Sequence, residues 1–295
     1  MSSIFEVILR SLEYGSIYAF AAFGIILIYR TSYTTNFAQG VIGMFTTFAV
    51  AKLMAETGIN IWVGVLFGIV VAILMGLLID LLIMRHSKKV NAVGKQIITL
   101  GILMIIVGIT PMVYGVYPFV LPRFFPDGYA NLFGATISYN ALFNIALTIV
   151  VMLAMLFVLL KTKVGLAIRA TASNEPTARL MGIPTKTVTM ASWAIAAALS
   201  LLAGVMAAPF GTVNIGFMND VQIGAFMAVV LGGFSTFHGP VIAAFIISVS
   251  TNLLQVYLPT GIGTVWGKPI VYLLILVFLI FKPLGLFGKK TVKKV

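Results

Sequence analysis

The stretch Gly165-Leu-Ala-Ile-Arg-Ala-Thr-Ala-Ser-Asn-Glu-Pro-Thr-Ala-Arg-Leu-Met-Gly-Ile-Pro184 is the longest polar interruption in a chain that otherwise reads as hydrocarbon. Apolar runs at residues 141–160 and 190–210 enclose it, and each is long enough to cross a bilayer, which takes ~20 mostly apolar residues. Lys161, Lys163, Arg169, Arg179 and Lys186 bring five positive charges into and around the stretch, against one carboxylate, Glu175. It reads as a connection between membrane helices and as a place where something docks.

Its internal order is that of a helix with marked ends. Ser173-Asn174 supplies an N-cap, Glu175 suits the positive end of a helix dipole, and Pro176 is tolerated in a first turn. Gly182 fits the left-handed position after the last turn, and Pro184 stops continuation. These signals predict a helix of roughly two turns over residues 174–181, too short to be stable without a partner surface. An amphipathic surface helix with no partner is the alternative.

Working outward, composition fixes the class. With 61% hydrophobic and 9% charged residues and a mean hydropathy of +1.12, the 295 residues hold too little polar surface to coat a soluble globule. We expect one all-α, polytopic membrane bundle over residues 1–295, with no stretch able to build a second core. The net charge of +12 points to nucleic acid only until the positions are read. Fourteen of the 19 basic residues fall in three clusters flanking apolar runs: Arg85, Lys88, Lys89 and Lys95; the five from Lys161 to Lys186; and Lys282, Lys289, Lys290, Lys293 and Lys294. That is the positive-inside pattern, which puts all three clusters and the C-terminus in the cytoplasm and leaves no basic face for nucleic acid.

Apolar runs lie at residues 12–29, 37–54, 61–84, 96–121, 141–160, 190–210, 221–237, 240–258 and about 262–281. Nine crossings put the N-terminus outside; eight, with one run dipping in and returning, put it inside. Glu6, Arg10 and Glu13 precede a first run without a small-residue cleavage pattern, so it reads as a retained helix. Leu231-Gly-Gly-Phe-Ser-Thr-Phe-His-Gly-Pro240 and Ile262-Gly-Thr-Val-Trp-Gly-Lys-Pro269 are candidates for broken or re-entrant segments, or else ordinary interfacial turns. Residues 117–139, rich in aromatic and turn residues, read as an outer loop, either an anchored connector or a surface for an extracytoplasmic partner.

Two neutral polar stripes stand out inside the runs. Asn36, Gln39, Gly40, Gly43 and Thr47 share one helical face, as do Ser248, Thr251, Asn252 and Gln255. Polar groups in hydrocarbon need partners, so each stripe should face other helices or water. Close helix packing and the lining of a solute path both account for them. The seven carboxylates all sit in loops or near expected helix ends, which disfavours a proton relay. Asp80, close before Arg85, reads as an interfacial partner of the first basic cluster.

Nothing points to catalysis or to a metal. There is no cysteine, His86 and His238 lack metal-binding spacing, no serine sits in a Gly-x-Ser-x-Gly elbow, and no nucleotide-binding Gly-x4-Gly-Lys-Ser/Thr loop is present. If transport uses ATP, another chain binds it.

With these residues in view, the chain resembles the permease family of ABC importers for branched-chain amino acids, the hydrophobic amino acid uptake type. Gly15-Ser-Ile-Tyr-Ala-Phe-Ala-Ala-Phe-Gly-Ile-Ile-Leu-Ile-Tyr29 with Asn36-Phe-Ala-Gln-Gly40 is similar to the family's opening helix and the start of its second. Residues 165–183 look like its cytoplasmic coupling loop; Val230-Leu-Gly-Gly-Phe234 and Lys282-Pro-Leu-Gly-Leu-Phe-Gly288 match its late glycine turn and C-terminal signature. Gln39 stands where the family usually has His, Val41 where it has Glu, and residues 234–240 replace a shorter turn.

The resemblance implies a non-catalytic permease subunit of an ATP-driven importer in a prokaryotic plasma (inner) membrane. It implies a second permease subunit, paralogous or identical, two cytoplasmic ATPase subunits that hold ATP and Mg, and an extracytoplasmic solute-binding protein. The substrate would be a branched-chain or other small amino acid. ATPase coupling would then fall to Arg169, Asn174, Glu175, Ala178, Arg179 and Gly182, and the two stripes become candidate translocation-path residues. The rival reading is a self-sufficient secondary transporter or channel for a small polar solute.

Overall fold

A computed structural model describes residues 4–288 apart from Lys88, Lys89, Pro126 and Phe133. Every apolar run of the sequence is helical in it. The helices are α1 (Ile4–Ser32), α2 (Gln39–Thr57), α3 (Ile61–Ile79, extended by a π-helical turn at Asp80–Met84), α4 (Ala92–Tyr114), α5 (Tyr139–Lys161), α6 (Lys163–Ser173), α7 (Glu175–Leu180), α8 (Thr185–Ala207), α9 (Asn219–Gly232), α10 (His238–Tyr257) and α11 (Thr260–Phe281).

Among the described residues seven helices are long and apolar enough to cross a membrane: α1, α3 with its π turn, α4, α5, α8, α10 and α11. Of the other two apolar runs, α2 is 19 residues long and more polar, while α9 has 14 residues and reaches only ~21 Å, short of the ~30 Å hydrocarbon thickness.

Burial sorts the helices into an inner and an outer set. α1 and α8 are mostly buried and hold Phe20, Phe23 and Trp193 at the centre of the core, with α2, α9 and α10 packed around them. The outer helices α3, α4, α5 and α11 turn Leu66, Met104, Met112, Leu153, Phe157 and Ile280 outward, each more than half exposed. Apolar surface on that scale is a lipid-facing belt. Without a hydrophobic drive between helices in lipid, contact depends on close backbone approach. At Gly76 of α3 an added Cβ would lie 2.5 Å from the carbonyl oxygen of Trp193 and 2.9 Å from the Cα of Ala194 on α8, so only hydrogen fits there.

The two irregular segments singled out in the sequence differ. Residues 233–237 are a true break: α9 ends before Gly233, and α10 starts afresh at His238. Residues 262–269 instead lie within α11, which continues unbroken with Pro269 inside it. The segment between α4 and α5 carries regular structure: β1 (Tyr129–Leu132) pairs antiparallel with β2 (Ala135–Ser138), and Phe119 bridges to Val213 with N···O distances of 3.2 and 2.9 Å.

The basic clusters gather at one end of the bundle. Arg85, Lys95 and Lys186 line a common cavity with Asp80 and Glu175. The segment after Lys282 folds back there, with Leu286 N–H donating to Leu231 C=O (2.7 Å) and Phe287 N–H to Gly232 C=O (3.3 Å). Arg30, near the end of α1, donates to the Ser235 carbonyl in the same region. Lys88, Lys89, Lys289, Lys290, Lys293 and Lys294 lie outside the described residues. α1 therefore begins at the opposite end, beside the start of α5.

Candidate functional site

The polar connection at the basic end is two helices rather than a loop carrying one. α6 precedes the expected helix, and Gly165, Ile168, Thr171 and Ala172 form its buried stripe at helical spacing. Tyr33 Oη, on the turn after α1, donates to the Ala172 carbonyl at 2.7 Å and ties α6 to the bundle.

The second helix, α7, ends as the sequence predicts. Asn174 Oδ1 accepts from Thr177 N–H at 3.0 Å, Pro176 stands in the first turn, and Glu175 pairs with Arg179 one turn on (3.6 Å). Gly182 has φ +80° and donates to Arg179 C=O at 3.0 Å, while Ile183 N–H donates to Ala178 C=O at 3.0 Å. Ala178 faces inward, 4% exposed, so α7 is seated on the bundle through its smallest side chain. Leu180 and Met181 point away, 87% and 78% exposed, and a groove of about 450 Å³ runs past Lys95, Glu175, Pro176, Arg179 and Leu180. Sequence reasoning passed over Leu180 and Met181; two large apolar residues just before a helix-stopping glycine were the available signal. Arg169 lies on α6, and its Nη2 donates to Leu160 C=O at the end of α5 (3.4 Å).

The first stripe lies at the inner start of α2. Gln39 Nε2 donates at 2.9 Å to the carbonyl of Ala196, the middle residue of α8, and Asn36 Nδ2 donates to Gln39 Oε1 at 3.1 Å. Ser200 Oγ donates back to Gln39 C=O at 2.5 Å. α2 thus begins halfway through the bundle and runs alongside α8, with Gly43 against Ser200 and Thr47 against Gly204. A helix N-terminus inside a bundle leaves N–H groups to satisfy. Gln222 on α9 meets that need, its Oε1 accepting from Gly40 N–H, while its Nε2 stays buried without a partner. Asn36, Gln39 and Thr47 are fully buried in this junction of α1, α2, α8 and α9.

The second stripe faces a cavity. Ser248, Thr251, Asn252 and Gln255 line a space of about 120 Å³ with Tyr14, Tyr18 and Lys268. At its edge Asp220 Oδ2 accepts from Lys268 Nζ at 2.6 Å and from Tyr18 Oη at 3.0 Å. Ser248 Oγ donates to Ser11 C=O at 2.6 Å, whereas the buried Thr251 Oγ1 has no partner. The structure brings this stripe together with charges that sequence reading left scattered. Lys268, a lone cation inside an apolar run and away from the three clusters, was the signal.

One carboxylate departs from expectation. Glu13 lies well inside α1, which starts at Ile4 and not near residue 12, and it is 9% exposed. Its Oε1 accepts from Asn140 Nδ2 (3.0 Å) and Asn144 Nδ2 (2.9 Å) on α5, and Asn140 Oδ1 accepts from Phe124 N–H (3.0 Å). Two amide donors make the interior position tolerable for an acceptor. The cluster pins the outer segment to the bundle.

Residues 7–281 match the family described as branched-chain amino acid transport system / permease component. The chain is 29% identical over 299 residues to the high-affinity branched-chain amino acid transport system permease protein LivH of Escherichia coli (strain K12), covering 95% of this chain and 94% of LivH. It is 25% identical over 305 residues to the corresponding protein BraD of Pseudomonas aeruginosa (98% and 97% covered), and 29% over 286 residues to a probable branched-chain amino acid permease, LivH, of Methanocaldococcus jannaschii (93% and 90%). A match that runs from the first long helix through the last means that the chain belongs to the family of permease components of branched-chain amino acid transport systems.

Proposed function

We propose that this chain is the non-catalytic membrane subunit of an ATP-driven importer for branched-chain or other small amino acids. It would form half of a translocation pathway with a second permease subunit. Two ATPase subunits at the basic, cytoplasmic end would hold ATP and Mg, and a solute-binding protein would deliver substrate to the opposite face of a prokaryotic inner membrane. The observation that carries the coupling role is α7. It is a capped helix seated through Ala178, with Leu180 and Met181 exposed where the basic clusters gather.

In this reading Asn174, Glu175 and Gly182 keep α7 helical, Arg179 and the two apolar side chains meet the ATPase, and α6 with Arg169 carries the displacement to α5. Tyr33, just after α1, is bonded to α6, and this supports a route by which a push on α7 would reach the central helix through α6. The Ser248 to Gln255 stripe faces a cavity and is the stronger path candidate. The Asn36 to Thr47 stripe would join a path only when the α2, α8 and α9 junction opens.

The test is reconstitution with the ATPase subunits, the second permease and the binding protein in proteoliposomes. Labelled leucine is expected to accumulate only with ATP. Equal accumulation by this chain alone, driven by a solute or ion gradient, would show a self-sufficient transporter or channel instead.

A further inference from the structure

The polar cavity at the non-basic end holds an arrangement that helix packing does not call for. Lys268 lies inside α11, in an otherwise apolar stretch, and Asp220 in the first turn of α9. A cation such as Lys268 within an apolar helix is unusual, and by default it serves a function. The pairs Glu6–Arg10, Lys52–Glu56 and Glu175–Arg179 join neighbours one turn apart on single helices, whereas Asp220–Lys268 joins two helices.

The pair is also accessible. The Lys268 and Asp220 side chains are 36% and 50% exposed, and ion pairs this open are weakly held and easily exchanged. Tyr18 fixes the carboxylate from the bundle side, its Oη 3.0 Å from Asp220 Oδ2 and its ring packed on Gly224, where a Cβ would come within 2.8 Å. Lys268 by contrast faces the cavity. A space of about 120 Å³ holds several molecules the size of water, each needing roughly 10–15 Å³. Its lining residues include the neutral polar Ser248, Thr251, Asn252 and Gln255.

We propose that this cavity, with Asp220 at its edge, receives the charged head of a zwitterionic α-amino acid, its ammonium on Asp220 and its carboxylate on Lys268, with Asn252 and Gln255 completing the polar contacts. The assignment rests on the importer reading and names the chemistry recognised within the permease. Exchange of the internal pair for the solute conserves charge. Each protein group leaves one opposite charge and gains another, so nothing is left unpaired. A solute with a single charge pairs with one residue and leaves the other without its counter-charge. The cavity therefore selects for both charges together and tolerates variation in the side chain.

The experiment has two arms. In the first, the reconstituted complex takes up labelled leucine through the wild-type chain, D220N, K268Q and the exchanged pair D220K/K268D, with assembly followed by size-exclusion chromatography. D220N and K268Q are expected to raise the KM for leucine at least tenfold while still assembling. The exchanged pair should remain impaired, because Tyr18 is placed to donate to a carboxylate at position 220. Full recovery by the exchanged pair would mean that the ion pair only joins α9 to α11, and would overturn the proposal. The second arm needs no variant. Saturation-transfer NMR on the permease–ATPase complex, without binding protein, compares leucine, leucinamide and 4-methylpentanoate at millimolar concentration. Signal for leucine well above that for either singly charged analogue supports the site; equal signals for all three overturn it. If the wild-type complex takes up no amino acid, the importer reading fails and this assignment with it. Leucine uptake with unchanged KM in both single variants sinks this assignment alone.

Discussion

Replacing Gly182 by Val tests whether α7 transmits anything. Gly182 sits at φ +80°, and a Cβ built there meets no atom within 4 Å, so the substitution carries no steric clash with its surroundings. Its cost is conformational. A non-glycine residue in the left-handed region loses about 1–2 kcal/mol, and a β-branched one does so least comfortably. If the chain escapes that strain, it gives up the bonds from Gly182 N–H to Arg179 C=O and from Ile183 N–H to Ala178 C=O, each worth ~1 kcal/mol. Either way α7, with six residues and no stability of its own, shifts toward unwinding by ~5–30-fold, since about 1.4 kcal/mol is a factor of ten. The readout is substrate-stimulated ATP hydrolysis and uptake in the reconstituted complex. Gly182→Val should assemble and lose most of the stimulation. Gly182→Asn, which tolerates the left-handed region, should keep most of it. Normal coupling in an assembled Gly182→Val complex would remove α7 from the mechanism.

Other perturbations follow from the same structure. Asn174→Ala removes the cap on Thr177 N–H and should destabilise α7 by about 0.5–2 kcal/mol, giving a weaker form of the Gly182→Val phenotype; Asn174→Asp should behave like the parent. Glu13→Ala strands two buried amide donors at about 1–3 kcal/mol each, so the melting temperature in detergent should fall and residues 115–128 should become sensitive to protease. Glu13→Gln keeps a carbonyl acceptor and should fall between; a Glu13→Ala protein that melts like the parent argues against the cluster as a structural pin. Gly76→Leu drives a side chain into the α8 backbone and should cost ~1–3 kcal/mol or more, read as a lower yield of folded protein, whereas Gly101→Leu on α4, where a Cβ meets nothing, should be silent.

Legibility in the sequence followed the range of the interactions. Apolar length is local, so all nine runs were visible, and so were the cap at Asn174 and the stop at Gly182, which depend on a few neighbours. α6 escaped because Gly165 and its polar residues suggest coil, and only the buried Ile168, Thr171 and Ala172 stripe, seen against α1, α5 and α8, explains its helix. Glu13 stands near the expected start of the first run, and its interior position is hidden from the sequence because its partners, Asn140 and Asn144, lie on another helix far along the chain. The cavity was half legible. Helical spacing lined up Ser248, Thr251, Asn252 and Gln255, while Asp220 and Lys268 come from α9 and α11, and no periodicity within one helix connects them.

The return of the C-terminal segment bears on how the protein is made. α9 is too short to cross the hydrocarbon alone, and two of its final carbonyls, at Leu231 and Gly232, are completed by the N–H groups of Leu286 and Phe287. Those donors follow α10 and α11 in the chain, so they are made only after both helices have been synthesised. The basic end of α9 is therefore completed only once the C-terminal segment has been made. Until then it offers unpaired main-chain acceptors at the end where α7, the proposed coupling helix, lies, so an incomplete chain is unfinished where the proposed partners would dock.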